Sequence, residues 1–230
     1  MKKQKIFIAC DTTKIKVVKK IMSQTNSDKL NIGYKFGLEF LYTKNGRKFI
    51  SKLKNKNLFV DLKISDIPNT SSAAINSLKD LKNISYITVH VSGGLEMLRA
   101  VKKTANKVNK KLKILGVTIL TSFSDTSIKQ IGHTRNIKEI VERQARLARS
   151  AKLDGIVCSG HEAKFLKKIC KNMEIITPGI RLPGDSAGDQ KRIITPINAF
   201  KNGASGIVLG RSVTRGNIKN NIKKLIKSLN

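Results

Sequence analysis

The run Asp61-Leu62-Lys63-Ile64-Ser65-Asp66 puts three charged residues into an otherwise apolar segment. Side chains alternate along a β-strand, so Asp61 and Lys63 face one way if Leu62 faces the other. The flanking Leu58, Phe59, Val60, Leu62 and Ile64 mark a buried strand, where a charge is costly unless paired. On a surface strand, D-x-K-x-x-D would mean little; in a buried one it points to function. A lysine held between carboxylates stays protonated, because opposite charge favours its charged form. It can then donate a proton and stabilise a carbanion developing nearby. Carboxylates held beside a substrate's own carboxylate disfavour that group and favour its loss as carbon dioxide. Asp11 ends the first apolar run, and Lys35 lies within the second.

A second constellation reads as an anion grip. From Thr177 to Gln190 the chain runs TPGIRLPGDSAGDQ, a glycine-rich connection too long to be a mere link. Further on, GIVL leads into Gly210-Arg211-Ser212 at the start of the last helical pattern. Arg181 and Arg211 can make charge-assisted contacts to a phosphate, and Gln190 a neutral one. A solvated loop with a helix-opening Ser212 is the plainer reading, but both loops follow late strands, where barrels commonly hold phosphate.

Eight short β-branched runs would carry these residues: 6–11, 30–37, 58–63, 85–91, 112–118, 154–158, 173–177 and 206–209. Helical patterns lie between them at 43–55, 70–82, 94–108, 136–151, 160–171 and 195–203, with a last one at 212–229. Alternating β and α units imply a parallel sheet, and eight of them imply closure into a (β/α)8 barrel over residues 1–230 as one domain. An open dinucleotide fold is disfavoured, because DTTKIK follows the first strand where a glycine-rich phosphate loop would be required. In a barrel, chemistry belongs at the C-terminal ends of strands.

Composition narrows the class. The chain has 230 residues, 40% hydrophobic, and a formal net charge of +31 from 46 Lys and Arg against 15 Asp and Glu. No apolar run approaches the roughly 20 residues of a membrane helix. Lysine is spread along the whole chain and there is no tryptophan, so a dedicated nucleic-acid surface is not expected, only weak binding to polyanions at low salt. The charge would also speed capture of an anionic substrate. Cys10, Cys158 and Cys170 lack metal-ligand spacing and suit free thiols in a reducing cytoplasm. The start, MKKQKIFIAC, mimics a lipoprotein signal, but Ile6 to Cys10 is too short for a secretory core and reads as a strand. His90 is expected to pack near the site, His133 and His161 to sit in a loop or at a helix start, and Glu39 to pair locally. Lys219, Lys223, Lys224 and Lys227 are expected to form a solvated helix face.

With these residues in place, the sequence resembles the bacterial single-function orotidine 5'-phosphate decarboxylases, a family of the ribulose-phosphate-binding barrel type. DLKISDIPNT (61–70) is its most specific piece; IACD (8–11), YKFGLEF (34–40), VHVSGG (89–94), VTILTS (117–122), TPGIR (177–181), SAGDQ (186–190) and LGRS (209–212) support it in order. The resemblance implies conversion of orotidine 5'-monophosphate to uridine 5'-monophosphate in pyrimidine synthesis, without metal or organic cofactor. By the same resemblance, Lys63 donates the proton to carbon 6 within a Lys35, Asp61, Lys63 and Asp66 network. Asp66 would come from the other subunit of a homodimer. Asp11 and Lys35 would hold ribose hydroxyls, Ile67 would contact the ligand, Thr70 would reach the neighbouring subunit's ligand, and Thr121 would lie over the base. Arg181, Gln190, Gly210 and Arg211 would hold the phosphate and close a mobile loop. Magnesium-dependent sugar-phosphate enzymes on similar barrels also carry D-x-K-x-x-D, but with a glutamate near the position of Lys35. Ser65 and the Ser71-Ser72 pair depart mildly from the family pattern and leave its charges untouched.

Overall fold

The computed structural model describes residues 4–54, 56–186, 188 and 192–229. Eight parallel strands pair in sequence order and close on themselves: β1 (Lys5–Ala9), β2 (Asn31–Gly37), β3 (Asn57–Ile64), β4 (Ile84–His90), β5 (Lys113–Val117), β6 (Gly155–Val157), β7 (Glu174–Thr177) and β8 (Gly206–Leu209). The eight expected strands are all present, most of them one or two residues shorter than their apolar runs. Helices α1 (Ile15–Gln24), α2 (Leu38–Leu41), α3 (Gly46–Ser51), α4 (Pro68–Ser77), α5 (Gly94–Val108), α6 (Asp125–Gln130), α7 (Ile137–Ser150), α8 (Ala163–Cys170), α9 (Pro196–Lys201), α10 (Arg211–Thr214) and α11 (Ile218–Leu229) follow the strands. None is long and apolar enough to cross a membrane.

Strand alternation divides the apolar residues into two cores. Ile6, Ile8, Tyr34, Phe36, Leu58 and Val60 point outward into the core under the helices, to which Val101 and Ala105 of α5 and Ile222 and Leu225 of α11 contribute at helical spacing. Phe7, Ala9, Phe59, Tyr86, Leu115, Val117, Val157, Ile176 and Val208 point inward and fill the barrel. Gly33 on β2 makes room for that filling, since a Cβ there would lie 2.9 Å from the Phe7 ring and 2.5 Å from the Asn57 carbonyl.

Three helical expectations need correction. The pattern at 43–55 forms the short α3 preceded by α2, because Gly46 packs on the Phe40 carbonyl where any Cβ would collide. The pattern at 212–229 is two helices: Gly216 takes φ +65, and Asn221 Nδ2 donates to the carbonyls of Val213 and Arg215 across the break. Gly210 and Arg211 therefore meet the short α10 and not the final helix. The helix α1, buried through Val18 and Ile21, and α6, opened by a Ser124–Ser127 capping box, are absent from the expected set. Lys219, Lys223, Lys224 and Lys227 are exposed as expected, and the three cysteines are buried free thiols.

Candidate active site

β3 places Asp61 and Lys63 on the inward face, in line with Phe59, while Leu62 packs into the outer core as alternation requires. Lys63 Nζ lies 2.9 Å from Asp61 Oδ2. Lys35, inward on β2, reaches the same oxygen at 3.5 Å and Asp11 Oδ1 at 3.0 Å. Four charges thus alternate in a chain, Asp11–Lys35–Asp61–Lys63, contributed by three adjacent strand ends.

The electrostatics follow from burial and pairing. Burial works against the Lys35 ammonium, but Asp61 and Asp11 outweigh it and raise its pKa above the usual lysine value. Burial likewise pushes the Asp61 carboxyl up, yet Lys35, Lys63 and the Thr88 hydroxyl outweigh it and hold Asp61 below the ordinary carboxylate value. Asp61 is therefore an anion at neutral pH. His90, half-buried at the end of β4, is pulled down by burial and by the charge of Lys63, so its imidazole is neutral there.

Alternation alone does not describe Lys63. Its φ is +51, in the left-handed region, at a register shift between Val60 and Ile64 against β4. Such a backbone costs on the order of 1–3 kcal/mol for a residue with a Cβ. Thr88 supports it: its Oγ1 accepts from the Lys63 amide at 2.9 Å and donates to Asp61 Oδ1 at 2.8 Å. Sequence reasoning passed over Thr88, whose only signal is a hydroxyl on the inward face of a buried strand.

The network faces a cavity of 770 Å³, within the range of small-molecule sites. Thr121 lines it from the loop after β5, Arg181 from the loop after β7, and Gly210 and Arg211 from the start of α10 after β8. Arg181 is buried, its Nε donating to the Ser186 carbonyl at 3.0 Å and one Nη to the Ile180 carbonyl at 3.0 Å. Burial, then the like charge of Arg211, pulls Arg181 below its usual value, so a bound anion would relieve the pair. Cys158 also lines the cavity, but complete burial raises its thiol well above the ordinary value and leaves it unreactive.

Asp66, Ile67 and Thr70 are not brought into this cavity. They are exposed around the start of α4, with Asp66 Oδ1 accepting from the Ile67 amide at 2.7 Å and Ile67 66% exposed. Within one chain the network therefore holds Asp11 in place of the expected Asp66. Gln190 lies outside the described residues. Glu39 is exposed in the first turn of α2, and no ion pair among the described residues includes it. His161 is exposed just before α8, its Nε2 2.9 Å from the Ile193 carbonyl. Among the described residues, no three His, Cys, Asp or Glu side chains cluster as metal ligands.

A closed parallel barrel with its charges gathered at the C-terminal ends of the strands has the construction of a (β/α)8 enzyme. Residues 4–224 match the orotidine 5'-phosphate decarboxylase / HUMPS family, and the chain belongs to it. An orotidine 5'-phosphate decarboxylase of Fusobacterium nucleatum is 37% identical over 99% of this chain and 96% of its own. One of Prochlorococcus marinus is 41% identical over 92% of this chain and 89% of its own. The crystal structure of orotidine 5'-phosphate decarboxylase from Lactobacillus acidophilus superposes with a TM-score of 0.83, at 30% identity over 99% of both chains.

Proposed function

We propose that this chain is an orotidine 5'-phosphate decarboxylase, a carboxy-lyase of pyrimidine synthesis, and that it works without metal or organic cofactor. The family membership supports the reaction. The observation that carries the mechanism is the alternating Asp11–Lys35–Asp61–Lys63 chain with Lys63 at the cavity face. The substrate carboxylate would lie near ionised Asp61, where like charge disfavours it and its loss relieves the repulsion. The bond from carbon 6 to the carboxyl carbon breaks heterolytically, carbon dioxide leaves, and the electron pair stays on carbon 6. Lys63 Nζ gives that carbon a proton, releasing uridine 5'-monophosphate, and regains one from water. Asp11 and Lys35 would hold ribose hydroxyls, Thr121 the base, and Arg181, Gln190, Gly210 and Arg211 the phosphate.

The exposure of Asp66, Ile67 and Thr70 beside the cavity supports a homodimer in which these residues serve the neighbouring site. The partner subunit's Asp66 would then extend the charge chain past Lys63. Lys35 supports this reading over a magnesium-dependent sugar-phosphate enzyme, because its ammonium sits between Asp11 and Asp61 where a divalent cation would meet like charge.

The test is ultraviolet loss of orotidine 5'-monophosphate by purified protein in chelator, beside Lys63→Ala. Rapid conversion that the variant lacks is expected; a folded protein that instead turns over a sugar phosphate only with magnesium would overturn the proposal. Mixing inactive Lys63→Ala and Asp66→Ala proteins should restore about a quarter of wild-type activity, since a mixed dimer has one intact site. No recovery after subunit exchange would rule out the shared site.

A further inference from the structure

Outside the lining of the cavity lies a largely buried ion pair that the proposed chemistry does not use. Glu162, 5% exposed, follows β6; its Oε2 accepts from the Ser159 amide at 3.0 Å and its Oε1 accepts from an Arg192 Nη. The other Nη of Arg192 donates to the carbonyls of Ile119 at 3.3 Å and Leu120 at 3.2 Å. Those carbonyls stand immediately before Thr121, in the loop after β5 that walls the base end of the cavity. Arg192 itself closes the connection after β7. Two residues on, the Ile194 amide donates to the Gly179 carbonyl at 3.2 Å, and the Arg181 amide donates to the Ile194 carbonyl at 3.0 Å. Arg181 and Arg192 are thus held close to one short parallel bridge, Ile180 to Ile194, with one facing the cavity and the other facing the β5 loop.

Attraction to Glu162 alone would need only a lysine. A planar fork that reaches a carboxylate and two carbonyls in fixed directions needs an arginine. Nor is the arrangement best explained as a stabilising device. A buried ion pair gains little over apolar packing of similar volume, and Arg192 Nε is buried here without a hydrogen-bond partner. What the pair does supply is geometry, joining the loops after β5, β6 and β7 through one side chain.

We propose that Arg192 is a positioning residue that sets the loop carrying Thr121 against the connection carrying Arg181, so that contacts at the base and phosphate ends form together. The inference rests on the nucleotide reading above for what the two loops hold.

Arg192→Lys tests it, keeping the charge toward Glu162 while losing the fork. The expected result is a KM for orotidine 5'-monophosphate raised about tenfold, kcat within roughly threefold, and little change in Tm, because misplaced contacts weaken binding before they unfold the barrel. Amide exchange should quicken over 118–124 as well as over 178–186. If Arg192→Lys does not fold, Glu162→Gln with Arg192→Met removes both buried charges, leaves an acceptor for the Ser159 amide, and gives the same readouts. An unchanged KM, or faster exchange confined to 178–186, overturns the coupling. The exchange measurement needs no turnover, so wild-type protein that fails to decarboxylate sinks the nucleotide reading while the 118–124 exchange still decides the coupling.

Discussion

At the N-terminal end of the barrel, Lys5, Lys113 and Glu174 each begin a strand and close around the Tyr86 hydroxyl. At the C-terminal end, Asp11, Lys35, Asp61 and Lys63 gather around strand ends and face a cavity. Both sets lie on the inward face, separated by the same apolar filling: Phe7 and Ala9 stand between Lys5 and Asp11 along the first strand. Below, Phe7, Phe59 and Tyr86 pack edge-on or tilted with centroids 5.3 to 5.9 Å apart, and Lys5 Nζ lies 5.5 Å over the Tyr86 ring. The lower charges are roofed by rings and saturated by one another. Above, the filling stops at Ala9, Val117 and Val208, and the charges keep a side toward open space. The same alternation builds both networks; only the upper one includes a strained residue, Lys63, and a volume for a ligand.

The comparison can be broken most sharply at Asp61. Asp61→Asn keeps an acceptor for Thr88 but removes the anion between two ammonium groups, and kcat/KM should fall by roughly 10³-fold or more. Activity within tenfold of wild type in the ultraviolet assay would make the upper network structural, like the lower one.

Glu174→Gln should do the reverse. Burial opposes the Glu174 carboxylate, but Lys113 and Lys5 outweigh it, so its pKa lies below the ordinary value and its removal leaves two ammonium groups facing each other. Because these side chains keep partial contact with water, the loss in chemical denaturation should be about 2 kcal/mol, with kcat/KM nearly unchanged at 25 °C. A loss of turnover without loss of stability would show that the two ends are not independent.

Acid should weaken both networks together. Asp61 and Glu174 have folded pKa values below their ordinary ones, so their contribution is complete above the ordinary carboxylate range and is lost as pH falls through the folded values. The part of the melting temperature that these carboxylates supply should be level near neutrality and fall below pH 4.5, the ordinary Glu value. Glu174→Gln should flatten part of that fall; an unchanged slope would assign acid sensitivity elsewhere.

The smallest expected effect concerns neither network directly. With a net charge of +31, raising ionic strength from about 0.05 to 0.5 M should lower kcat/KM about threefold while leaving kcat alone. An insensitive kcat/KM would mean that the charge does not steer substrate.

Much of this was legible in the residues. The β-branched runs announced eight strands, and the buried setting of Asp61, Leu62 and Lys63 announced paired inward charges, because period-two alternation is a local property. Arg181 and Arg211 could be placed at the cavity from loop position alone. Helix ends were less readable: the breaks at Gly46 and Gly216 are set by a close backbone approach and by a positive φ, neither of which apolar spacing reports. The lower network was not legible, since Lys5, Lys113 and Glu174 look like ordinary charges flanking strands.

By itself, then, the sequence determined the order of the elements, the face on which each inward residue lies, and the residue types able to move a proton or grip an anion. The pairing of strands within the barrel decided the rest. It brought Asp11 to Lys35 across 24 positions and Thr88 to Asp61 across 27, and Arg192 to Leu120 across 72. It also left Asp66 outside its own chain's cavity. Alternation is written in neighbouring residues, whereas these partnerships depend on which strands lie side by side in the barrel and in what register.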